Sequence, residues 1–204
     1  VVRVVTPGTV VEDSILDGKA NNYLAAVVVD DKEAGLAFVD ITTSEFATGQ
    51  FPKHNLASEL GRLAPAELLV PHGQEESPVE HGVMVTPVDA DAFHLEWATE
   101  NLLKHFGVAS LEAFGCDKLP LAARAAGAVV DYLEGHQRSA LPQITSLYTY
   151  HSGAHMVLDL QTIRNLEIFA GGRDDDPNAS LLSILDSTRT AMGGRLLRDW
   201  LSRP

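Results

Sequence analysis

Three acids pose the first chemical question. Asp30 and Asp31 close the apolar run "NNYLAAVVVDD" (21–31), and Glu59 lies in "HNLASELGRLAP" (54–65). Carboxylates at the end of a first strand and on the helix that follows are the set with which metal-dependent nucleases hold two Mg²⁺ ions. The later strand "AELLVP" (66–71) has no Asp where a further ligand would be required, so the set is incomplete.

The remaining reactive residues form no stronger pattern. His151 and His155 in "HSGAH" have the i, i+4 spacing of a helical Zn²⁺ pair, but Ser152-Gly153 argues against a helix and no third ligand is near in sequence. His72 and His81 flank a polar stretch and read as loop residues. Asp174-Asp175-Asp176 lacks the alternating acids and the Gly of a calcium loop and reads as a solvated charge run. Cys116, the lone cysteine, excludes an internal disulfide and reads as a small core residue. Gly18-Lys19 has Asp13 where a phosphate-binding loop needs its first Gly, and the Gly-Gly pairs at 171 and 193 lack the strand-to-helix setting of a dinucleotide fold. No catalytic, cofactor-binding or metal-ligating residue is therefore assigned.

The elements that would position these residues change character along the chain. Residues 1–20 read as a short strand, a Thr-Pro-Gly turn and a connector. Residues 21–31 and then 36–51 read as three strands of an antiparallel meander. Leu56, Leu60 and Leu63 predict a helix with Asn55 as its cap; 66–71 and 82–88 predict short buried strands. A helix over 89–107 is expected to bury Leu95, Ala98, Leu102 and Phe106 and to end at Gly107.

Beyond that point strands give way to helices. Residues 119–138 predict a helix with Pro120 in its first turn, and 155–169 a segment that begins extended and turns helical. Residues 171–180 predict a mobile loop. A short apolar helix at 181–185 precedes a second one capped by Thr190, with a stripe of Met192, Leu196, Leu197, Trp200 and Leu201.

Charge divides the chain in the same way. The formal net charge is −13, yet residues 1–112 carry 6 Lys+Arg against 18 Asp+Glu, and residues 113–204 carry 9 against 10. An acidic surface repels phosphate, which makes the first part a poor candidate for direct DNA contact. No run of about 18 apolar residues and no signal-like N-terminus indicate a membrane span or secretion, and a cytoplasmic setting is expected.

Six strings carry a resemblance: "VVRVVTPGTVVEDSILD", "NNYLAAV", "GLAFVDITTSEFATGQF", "LAPAELLVP", "LDLQTIRNLEIF" and "SLLSILDSTRTAMGGRLLRDWLSRP". In this order they resemble the MutS family of DNA mismatch repair proteins. The resemblance covers nearly the whole chain and is weakest over about 72–118. Its most specific part is the last string, with Asp186, Thr188, Thr190, Gly193, Arg195, Leu196, Leu197, Trp200 and Pro204 placed as in that family.

The resemblance implies an α/β, ribonuclease H-like connector domain over 1–112, with a mixed sheet and an antiparallel meander but no nuclease activity. It implies a partial, all-α core or lever domain over 113–204. Neither an N-terminal mismatch-reading domain with a Phe-x-Glu wedge, nor a DNA clamp, nor an ATPase is represented in these residues. Paralogues that act outside mismatch repair generally lack the connector, which favours a repair protein. The resemblance implies a non-catalytic fragment that links mismatch, core and ATPase domains and offers a docking surface for MutL on the connector. ATP, Mg²⁺, mismatched double-stranded DNA and a second subunit belong to the intact protein. The alternative is a Mg²⁺-dependent nuclease using Asp30, Asp31 and Glu59. The fragment reading further expects the stripe Leu196, Leu197, Trp200 and Leu201 to be partly exposed.

Overall fold

The computed structural model describes residues 6–10, 16–74, 83–151, 153, 156, 158–172 and 176–202. The strand expected before Thr6 lies outside them, as do His81, His155, Asp174 and Asp175.

A mixed six-stranded sheet forms the frame. Strands β1 (Tyr23–Val29), β2 (Glu33–Asp40) and β3 (Glu45–Pro52) make the antiparallel meander, with Val27 opposite Leu36 and Leu36 opposite Gly49. Strand β4 (Glu67–Pro71) runs parallel to β1, β5 (Met84–Val88) parallel to β4, and the two-residue β6 (Tyr148–Thr149) parallel to β3. The order across the sheet is β5-β4-β1-β2-β3-β6. The five interior residues of β1 are all buried because neighbouring strands and both sheet faces enclose them, which explains an unbroken apolar run.

Alternation along the strands sends residues to two cores. Ala25, Val27, Leu36, Phe38, Phe51, Leu68 and Val70 meet helix α1 (Leu56–Leu63) through Leu56, Leu60 and Leu63. Tyr23 and Tyr150 complete this side, their ring centroids 5.0 and 5.7 Å from that of Phe38. Asn55 does not cap α1. The turn Lys53–Asn55 is already wound as a 3-10 helix, so Asn55 has helical backbone angles rather than the extended flank that a cap occupies.

Leu24, Ala26, Val28, Ala37, Val39, Phe46 and Leu69 face the other way, toward α2 (Leu95–Phe106) and α3 (Pro120–His136). In α2 Ala98 and Leu102 are buried, and Gly107 ends the helix in the left-handed region at φ 65°. Leu95, expected inside, is 43% exposed, since the preceding 3-10 turn delivers Phe93 to the core in its place.

Helix α3 forms where Pro120 and the apolar stripe of 119–138 predict it. Its buried residues run almost all the way round, from Leu121 through Ala125, Ala126 and Val129 to Leu133, because it is wedged between the sheet and α2. Its first turn is fixed to β3: the Leu121 amide donates to Gln50 Oε1 at 2.9 Å, and the Thr48 hydroxyl donates to the Ala122 carbonyl at 2.8 Å. A β-carbon added at Gly35 would stand 2.2 Å from the Leu121 carbonyl group, so this approach requires glycine. One hydrophobic cluster thereby includes residues from Leu24 in β1 to Leu147.

The described residues after β6 are helical. Helix α4 (Leu160–Asn165) is capped by Asp159, whose carboxylate accepts from the Thr162 amide at 2.6 Å. Helix α5 (Leu181–Leu185) is capped by Ser180, and Thr190 Oγ1 accepts from the Gly193 amide at 3.1 Å at the start of α6 (Ala191–Ser202). Met192, Leu196 and Trp200 are exposed and Leu197 and Leu201 partly buried, as the stripe was expected to be. No helix among the described residues is long and apolar enough to cross a membrane.

Candidate functional site

The nuclease carboxylates do not converge. Asp30 is exposed and holds the β1–β2 turn, accepting from the amides of Lys32 and Glu33 at 2.8 and 2.6 Å, and these bonds keep its carboxyl below the usual range. Asp31 is exposed, and Glu59, on the α1 face, is nearly buried and bound to Arg62 at 2.7 Å. No group of three or more His, Cys, Asp or Glu among the described residues could hold a metal ion. The nuclease alternative finds no support.

The other reactive residues also take structural places. His72 and His151 are exposed, and Asp176 caps the 3-10 turn Pro177–Ala179 by accepting from the Asn178 amide at 2.9 Å. Cys116 is buried in the α2–α3 core, and burial pushes its thiol up, away from the thiolate that a nucleophile needs.

Two polar sites that sequence reasoning missed hold the chain at its junctions. The first is Glu67, fully buried at the start of β4. Its Oε2 accepts from the Gly8 amide at 3.1 Å, and its Oε1 from the hydroxyls of Thr86 and Tyr132 at 2.7 and 2.8 Å. One carboxylate thereby ties the incoming segment Pro7–Thr9 to β4, β5 and α3. Burial, with the Glu67 carboxylate adding to it, pushes the Tyr132 hydroxyl up to about 12. An acid opening an apolar strand was the available signal.

The second is Lys19. Its ammonium donates to Asp186 Oδ2 at 2.7 Å and to the Thr188 carbonyl at 3.1 Å. The other oxygen of Asp186 accepts from the Thr188 amide at 2.9 Å and from its hydroxyl. The Lys19 bond above all, with the Thr188 bonds, lowers the Asp186 carboxyl to about 2. Beside it, the Lys19 stem crosses α6 at Gly194, where an added β-carbon would lie 2.6 Å from Lys19 Cγ. That close crossing accounts for the second residue of the Gly193-Gly194 pair.

Among the described residues the arrangement is an α/β unit whose polar clusters fix chain segments to one another. The family model for MutS domain II matches residues 22–145, and that for MutS domain III matches residues 161–204. The DNA mismatch repair protein MutS of Dehalococcoides mccartyi is 45% identical, the match covering 100% of this chain and 24% of that protein. Those of Symbiobacterium thermophilum and Chloroflexus aurantiacus are 42% and 39% identical, covering all of this chain and 24% and 26% of theirs. The chain belongs to the MutS family, and it spans about a quarter of the length of these relatives.

Proposed function

We propose that this chain is the non-catalytic connecting part of a mismatch-repair MutS protein, in which it links the mismatch-reading, core and ATPase domains. The observation that carries the reading is the Lys19–Asp186 contact, which fastens the segment leading into α6 to the segment leading into β1. The sheet order, with an antiparallel meander flanked by two parallel strands, supports a ribonuclease H-like connector used for its shape. The packing of α3 and the extent of the domain II match support a connector that runs to about residue 145, with the helical core beginning after it.

On this reading no cofactor is bound here; ATP and Mg²⁺ serve the intact protein, as do mismatched DNA and a second subunit. The excess of acids over 1–112 supports protein contact in place of DNA contact for the connector, with MutL as its partner and the cytoplasm as its setting. Pull-down of MutL by residues 1–145 and by residues 146–204 tests the assignment. Retention by the first piece is expected, and retention by the second alone refutes it. Robust ATP hydrolysis or heteroduplex binding by the 204-residue chain would overturn the non-catalytic role.

A further inference from the structure

Between residues 20–23, the end of α1 and helix α6 lies a cleft of about 220 Å³. Three guanidinium groups, those of Arg62, Arg195 and Arg198, line it with a single carboxylate, Asp199. Arg62 is already bound to Glu59, which stands outside the lining. Within the lining itself three guanidinium groups face one carboxylate, in a chain whose formal net charge is −13.

Among the described residues, no acid is bonded to Arg195 or Arg198. Arg195 Nε is shut off from solvent and, among those residues, has no hydrogen-bond partner. Among the described residues, Arg198 is held only by stacking on Phe169, its Cζ 4.6 Å from the ring centroid. Burial works against its charge, and the field of Asp17 only partly offsets that. A buried donor with its bond unmade is costly, and the planar guanidinium fork matches pairs of oxygens on an oxyanion. Two such forks in one cleft suit phosphate better than carboxylate, because phosphate offers more oxygens and more charge.

We propose that this cleft binds a small oxyanion of the phosphate class, gripped by Arg195 and Arg198. Its walls come from both sides of the junction, Ala20–Tyr23 and α1 from the sheet unit and Phe169 and α6 from the helical part. A bound anion therefore draws α6 onto the sheet unit beside the Lys19–Asp186 contact. The assignment is independent of the repair role proposed above.

Calorimetric titration of the 204-residue chain with pyrophosphate, at ionic strength held constant with NaCl, tests it. Saturable binding is expected, weakened at least tenfold in R195M and in R198M, and weakened less in R195K, which keeps the charge and loses Nε. Should a variant fail to fold, the Arg195 Nε–H resonance of the unaltered chain is expected to shift and saturate during the same titration. A resonance that does not move, an affinity unchanged in a folded R195M, or a response reproduced by chloride alone overturns the proposal. Saturation by a short oligothymidylate but not by pyrophosphate overturns the small-anion assignment.

Discussion

Lys19 and Asp186 stand 167 residues apart in the chain and 2.7 Å apart in the fold. Neither belongs to a strand or a helix, so the contact joins two irregular segments that would otherwise be free to part. An exposed ion pair alone contributes little. Here the carboxylate also collects both polar hydrogens of Thr188, and the lysine stem lies on Gly194, so pair, turn and helix packing are set together.

Replacing Asp186 by Asn should loosen the helical end while leaving the sheet. Hydrogen exchange is expected to accelerate over 186–202 and to stay unchanged in β1 and β2. Equal acceleration in both regions would contradict the local role.

The same contact has a direction in pH. Because the Asp186 carboxyl is lowered from 3.8 to about 2 in the fold, its contribution is complete above about pH 4 and is lost as pH falls through about 2. NMR titration of the Thr188 amide should show a midpoint near 2 that rises toward 3.8 in K19M; an unmoved midpoint would detach Lys19 from the effect.

The position of α3 predicts how the chain can be divided. Residues 1–145 should fold and melt cooperatively, whereas residues 1–112, which strip α3 from one sheet face, should not. G35A should cost about 3 kcal/mol, since the displaced atoms are α3 backbone and cannot rotate aside. Chemical denaturation reads both, and a stable 1–112 piece would restore the shorter boundary.

Glu67 anchors three donors at once. E67A, which strips their acceptor in a buried setting, should destabilise by about 3 kcal/mol. At the alkaline end, folding holds the Tyr132 proton to about 12 against an ordinary value of 10, so that stability is present below about pH 10 and lost as pH rises through 12. Y132F should flatten this loss in equilibrium unfolding between those pH values, and an unchanged slope would exclude Tyr132 as its source.

Burial of Cys116 predicts that a thiol reagent will label the native chain slowly and the denatured chain at once. Fast native labelling would reopen a nucleophile role.

Much of the sheet was legible because its signals are local: β1 and β2 are adjacent apolar runs, and Leu56, Leu60 and Leu63 mark one side of α1. The placement of α3 was not, because a helix apolar on nearly every side declares burial without declaring against what. Asn55 and Leu95 failed for a related reason, a 3-10 turn just before each helix that advances the winding by a few residues. At the junction, Asp186 and Gly193-Gly194 were noticed as pattern, but Lys19 carried no mark of a partner so distant in sequence. Glu67 was not singled out in a strand read only for an Asp, yet its chemistry is that of an acceptor for three neutral donors.

The two-residue ladder of β6 gives the sheet unit handles of unequal stiffness. Tension applied through the segment that follows β6 loads the rim, where only Tyr148, Thr149 and the Tyr150 amide are zipped to β3. Tension applied through Thr6–Thr9 reaches β4 directly by way of the buried Glu67 carboxylate. Single-molecule pulling should therefore find the helical side yielding first at low force.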